Sequence, residues 1–125
     1  MKHLLTAIAV LLCLAAPAFA QGDAVAGKTV FRKCAACHTT DPVNRVGPTL
    51  AGIVGRPVAS VPDYGYSSAM TGFAEGGKVW SEALLTEYLA APKAMVPGTR
   101  MTFAGLKKAE DIANLIAYLK DPAAP

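Results

Sequence analysis

The sequence predicts a small all-α domain whose long loops wrap around a core that is not made of protein. Three observations carry this. Apolar residues recur at helical spacing near both ends of the mature chain, and no stretch sustains the alternation of a strand. Between Thr39 and Phe73 the chain is dense in Pro, Gly, Ser, Thr and Asn, with neither period persisting. A structureless segment of that length is unusual in a small domain and implies something for it to wrap.

The N-terminal segment MKHLLTAIAVLLCLAAPAFA stands outside that domain. It starts basic at Lys2, runs apolar from Leu4 to Ala16 and ends in Ala18-Phe19-Ala20, the layout of a secretory leader with an A-x-A cleavage site. Pro17 interrupts a run already short for a bilayer span, which makes a membrane anchor the weaker reading. The expected organisation is a cleaved leader over residues 1–20 and one domain over 21–125. Export implies an oxidising compartment, here a bacterial periplasm. Cys13 and His3 depart with the leader, and Cys34, Cys37 and His38 are the cysteines and histidine that remain. The whole chain has 12 basic and 9 acidic residues, a formal +3 that drops by one with Lys2. That is too mild for a nucleic-acid binder. No later apolar run is long enough to span a bilayer, so a soluble monomer without a stable membrane anchor is expected.

Asp23 is a good N-cap for a helix with Ala24, Gly27, Val30 and Phe31 at compatible spacing. Gly27 lies four residues before Phe31 on one face, and a glycine there costs about 1 kcal/mol against Ala unless another helix packs close. A short helix near Ser67–Met70 is weakly signalled. In SEALLTEYLAAP, Ser81 caps a helix with a stripe of Leu84, Leu85, Tyr88 and Leu89, and Pro92 ends it. KAMVPGTRMTFAG reads as a loop around Pro97-Gly98. AEDIANLIAYLK, with Ile112, Leu115, Ile116 and Leu119 at i, i+3, i+4 and i+7, is the clearest helix, and its expected partner is the Gly27/Phe31 face. The tail beyond Asp121 is expected to fray.

Four chemistries compete for CAACH, residues 34–38. A thioredoxin-like redox pair belongs in a βαβ pattern, which is absent here. A structural disulfide would leave His38 unused and close only a tiny loop. Zinc needs three or four convergent ligands, and the mature chain has no further Cys or His. C-x-x-C-H, by contrast, is the attachment motif of a c-type haem and uses every residue. Cys34 and Cys37 bond the porphyrin vinyl groups from one helical turn, and His38 follows as proximal iron ligand. One covalent haem c then supplies the missing core for the loops to wrap. A ligating histidine normally donates its other N–H to an acceptor, and the Pro48 carbonyl in RVGPTL is the expected one. No histidine remains for the sixth position. Met70, Met95 and Met101 are candidates, and spacing does not separate Met95 from Met101.

The ordered segments KCAACH, VGPTLAGIVGR, YGYSSA, VW, LTEYLAAPK, VPGTRMTFAG and LIAYLK resemble the class I cytochromes c, specifically the bacterial periplasmic cytochrome c2-like group, over nearly all of residues 21–125. The resemblance implies Met101 as distal ligand and crossed terminal helices through Gly27, Phe31, Leu115 and Tyr118. It implies Arg56, Tyr66 and Trp80 at the buried haem propionate, with Tyr88 and Thr99 beside the methionine and inner propionate. Phe103 would lie near the exposed haem edge. A ring of Arg32, Lys33, Lys93, Arg100, Lys107 and Lys108 would form the docking surface for acidic partners. The implied function is one-electron shuttling, not catalysis, between respiratory or photosynthetic membrane complexes: quinol–cytochrome c oxidoreductase as donor, reaction centre or terminal oxidase as acceptor. The rival readings are a haem enzyme or gas-binding protein with a labile distal Met, and an electron-entry subunit of a dehydrogenase or oxidase. Two departures stand out. Met70 occupies a position commonly Asn in the family, and TGFAEGGKV before Trp80 is longer than in the mitochondrial form.

Overall fold

Helix α1 (Ala24–Phe31) starts where the Asp23 side chain accepts hydrogen bonds from the backbone N–H groups of Val25 and Ala26. The computed structural model describes residues 21–123; the expected leader and the last two residues of the tail lie outside it. Helical turns continue past Phe31. The Cys34 N–H donates to the Phe31 carbonyl at 2.8 Å and the His38 N–H to the Cys34 carbonyl at 2.9 Å. The attachment motif is therefore carried on a direct extension of α1.

A long irregular stretch leads to α2 (Ser68–Phe73), where the Ser67 hydroxyl caps the Met70 N–H at 3.1 Å. Helix α3 (Glu82–Ala90) is capped by Ser81 on the Leu84 N–H at 3.1 Å and buries Leu85, Tyr88 and Leu89. The next element corrects the sequence reading. Pro92 both stops α3 and begins a one-turn helix, α4 (Pro92–Met95), with proline in its first turn. At that position the missing N–H is not needed and φ is already helical. Helix α5 (Ala109–Lys120) buries Ile112, Leu115, Ile116, Tyr118 and Leu119 on one face. Among the described residues the only β-type pairing is one isolated antiparallel bridge, Pro57 with Val79.

The α1–α5 crossing is set by the glycine. A Cβ on Gly27 would sit 1.9 Å from the Asn114 carbonyl oxygen and 2.8 Å from the Tyr118 Cβ. One turn on, the Phe31 and Tyr118 rings lie 5.3 Å apart, and the Asp23 N–H donates to Asn114 Oδ1 at 2.8 Å. The helical cost of Gly27 is thus offset by close packing against backbone that cannot swing aside. We expect Gly27→Ala to destabilise the fold by about 2–3 kcal/mol. The check is a lower urea midpoint at unchanged slope.

Around that crossing the core gathers Val30, Leu106, Leu115 and Leu119, and across the molecule Ile53, Val58, Trp80, Leu85 and Val96. No polar or charged residue is fully buried among the described residues. Between the α3 side of the core and the irregular middle segment lies a cavity.

Candidate functional site

The cavity measures about 680 Å³ and its walls are mainly apolar. Cys34, Cys37 and His38 stand on one side, delivered by the coil beyond α1. Cys37 is exposed and Cys34 half-buried, and neither is in a disulfide. Burial pushes the Cys34 thiol up, against the opposing influence of Lys33.

His38 is held from two directions. Its Nδ1 lies 2.8 Å from the Pro48 carbonyl oxygen, and an N–H there leaves Nε2 as the free nitrogen. Gly47 lies against the ring: a Cβ would come within 2.3 Å of His38 Cε1. The Gly47 N–H donates to the Cys37 carbonyl at 2.8 Å, and the Leu50 N–H to the Thr39 carbonyl at 2.9 Å. The Gly-Pro dipeptide therefore presents the acceptor to Nδ1 and clears space for the imidazole.

Met101 also lines the cavity, on the loop after α4. That loop turns at Gly98, whose φ of +86° favours glycine, and Thr99 Oγ1 accepts from the Met101 N–H at 3.2 Å. The Tyr88 hydroxyl, 3.9 Å from Met101 Sδ, donates to the sulfur. Burial pushes the Tyr88 phenol up to about 12, so it stays protonated and a donor at neutral pH. Met95 now separates from the other two methionines. Met70 lines the cavity as well, from the first turn of α2, whereas Met95 packs against the core and does not reach it.

Arg56 supplies the cavity's unmet polar demand. Its Nη1 and Nη2 donate to the carbonyls of Ala51 and Thr49, both at 2.9 Å, while its buried Nε has no partner. Burial lowers the Arg56 pKa, with Tyr66 acting in the opposite direction. The Trp80 backbone N–H donates to the Arg56 carbonyl at 2.8 Å, tying the two residues together. Tyr66 Oη accepts from the Val61 N–H at 3.1 Å. Trp80 packs on Tyr88 at 4.8 Å between ring centroids, and Phe73 from the longer segment covers its outer side at 5.9 Å.

The structure brings together Cys34, Cys37, His38, Pro48, Arg56, Tyr66, Trp80, Tyr88, Thr99, Met101 and Phe103 around this one cavity. Of the six basic residues expected at its edge, Lys33 and Arg100 line it; Arg32, Lys93, Lys107 and Lys108 are exposed but do not. Arg100 is committed within the molecule, donating to the Gly65 carbonyl. Sequence reasoning missed Tyr64, whose hydroxyl donates to the Val46 carbonyl at 2.9 Å and whose ring meets Tyr66 edge-on at 4.9 Å. The Tyr-Gly-Tyr spacing was the available signal.

These residues fit a haem. Two thiols and an imidazole stand on one coil, a thioether lines the same apolar cavity, and a buried guanidinium N–H lacks an acceptor such as a propionate. The cytochrome c family model matches residues 24–122. The chain is 52% identical over 102 residues to a cytochrome c2 of Afifella marina, covering 79% of this chain and 82% of that protein. It is 41% identical over 122 residues to a cytochrome c2 of Blastochloris viridis, covering 96% and 93%. Among solved structures, cytochrome cH from Methylobacterium extorquens superposes with a TM-score of 0.72 at 42% identity, over 79% of this chain and 98% of that one. Ferricytochrome c2 from Rhodopseudomonas palustris gives 0.72 at 36%, over 78% and 96%.

Proposed function

The chain belongs to the cytochrome c family, and from that premise we infer that it is a carrier of single electrons with one covalently attached haem c. The observation that carries this is the convergence of Cys34, Cys37, His38 and Met101 on one apolar cavity. Bound there, the haem supplies an Fe(II)/Fe(III) couple.

The residues divide the remaining work. Cys34 and Cys37 would hold the macrocycle through thioether bonds. His38, its Nδ1–H fixed on Pro48, would offer Nε2 to the iron, and the Met101 sulfur would be the second protein ligand. With His38 and Met101 both committed to the iron, no coordination position would be left for a substrate, which favours a carrier over a haem enzyme. Thioether ligation and apolar walls favour the less charged reduced state and raise the potential. Arg56, with Tyr66, Trp80 and Thr99, would neutralise and seal in the propionates.

We assign the protein to the periplasm after removal of residues 1–20. No described helix is long and apolar enough to cross a membrane. Its partners would be membrane redox complexes, a quinol-oxidising donor and a reaction centre or terminal oxidase as acceptor. Docking would use the edge near Phe103, with the exposed Arg32, Lys33, Lys93, Lys107 and Lys108 steering acidic surfaces.

The test is a mass and an absorption spectrum of the exported protein, then its rate with a partner complex against salt. We expect one haem per chain and the weak red band of iron–thioether ligation. We also expect a rate that falls about tenfold as the screening length shrinks from about 30 to 8 Å. A high-spin ferric spectrum would overturn the carrier reading. A salt-independent rate would remove the basic edge.

A further inference from the structure

We propose that Arg45 is a positioning residue for His38, acting as a clamp on the coil that carries both cysteines. Its Nη1 donates to the Ala35 carbonyl at 2.9 Å. Ala35 lies between Cys34 and Cys37, where helical turns run out. Carbonyls at the end of such turns lose their backbone donors, and a cation is favourable there. No backbone N–H among the described residues donates to the Ala35 carbonyl. Arg45 supplies the donor from outside the coil.

The other end of Arg45 explains why this reaches the histidine. Its backbone N–H donates to the Gly47 carbonyl at 3.0 Å, closing a tight turn. That turn sets Gly47 against the imidazole face and leads directly to the Pro48 carbonyl 2.8 Å from Nδ1. One residue thus ties the segment between the cysteines to the segment that orients the ring. The backbone bonds from Gly47 and Leu50 hold Cys37 and Thr39, and only the guanidinium reaches further back. Arg45 makes no ion pair with a described acidic residue, so the bond to Ala35 is its engagement within the fold. An exposed arginine that reads as solvated charge becomes part of the ligand's support.

The proposal rests on His38 being the iron ligand, and its test is read on the proton rather than on electron transfer. NMR would follow solvent exchange of the His38 Nδ1–H in the purified protein, its Arg45→Met variant and its Arg45→Lys variant. The Leu115 amide, on a residue 1% exposed, reports global opening. Arg45→Met keeps the apolar stem and removes the donors. We expect its Nδ1–H to exchange roughly three- to tenfold faster, the span of one net hydrogen bond, at unchanged Leu115 exchange. Arg45→Lys should restore at least half of the protection. The clamp is overturned if Arg45→Met leaves the Nδ1–H rate unchanged or accelerates Leu115 equally, or if lysine restores nothing. Mass spectrometry of the same samples tests the haem reading separately. A chain of unmodified mass would overturn that reading together with the clamp built on it, whereas a haem-bearing chain whose Nδ1–H exchange ignores Arg45 would overturn the clamp alone.

Discussion

A chain carrying Cys34→Ala together with Cys37→Ala is expected to hold no covalent haem and to lose most of its helix at room temperature. The cavity they serve measures about 680 Å³. A dry void costs about 24 cal/mol per Å³, which scales to about 16 kcal/mol here. A whole domain has only about 5–15 kcal/mol of stability. Water entering the open side would relieve part of that cost but would leave Trp80, Leu85 and Leu89 facing solvent instead of a partner. Neither state of the cavity is compatible with a stable fold. Far-UV circular dichroism is the measurement, and a native-like spectrum from the double variant would show that the protein core suffices by itself.

Met101→Ala should act differently, sparing the fold's core while changing the iron. Cys34, Cys37 and His38 remain on their coil, so the haem stays attached. The thioether band is expected to vanish, added imidazole to bind, and the potential to fall by about 0.2 V, within the roughly 0.8 V that axial ligands govern. Met70→Ala is the control, because Met70 lines the same cavity. Retention of the band in Met101→Ala and its loss in Met70→Ala would move the ligand to α2. Met95, packed outside the cavity, should be silent in both measurements.

Much of this site was legible because its chemistry is local. CAACH occupies one coil and Pro48 follows it closely, whereas Met101 is singled out only by the family resemblance, because spacing leaves Met95 equally open. The amphipathic period of α5 and the glycine opposite it could likewise be read without a structure. The misses are tertiary. Pro92 signals only a stop in the sequence, although the same residue that ends one helix also suits the first turn of the next. Gly47 carries no signal of its own in the sequence, and only the approach of the His38 ring shows why a side chain is excluded. Tyr64 and Arg45 are recognised by backbone carbonyls 18 and 10 residues away, which no periodicity encodes. Arg100 read as docking charge until its bond to the Gly65 carbonyl was seen.

The contact between Asp23 and Asn114, 91 residues apart in the chain, has a bearing on biogenesis. Helices α1 and α5 bury their shared face only when both are present, so the entropy of closing that long loop must be met before the crossing contributes anything. Such a topology resists folding from the N-terminus before the last helix is available. Under the export proposed above, a polypeptide that cannot close early would stay thread-like long enough to cross a membrane and to have its two thiols modified in the open. The same adjacency makes the molecule a candidate for circular permutation: joining the ends of α1 and α5 and opening the surface turn at Gly76-Gly77 would leave the helix crossing and the haem ligands in one piece.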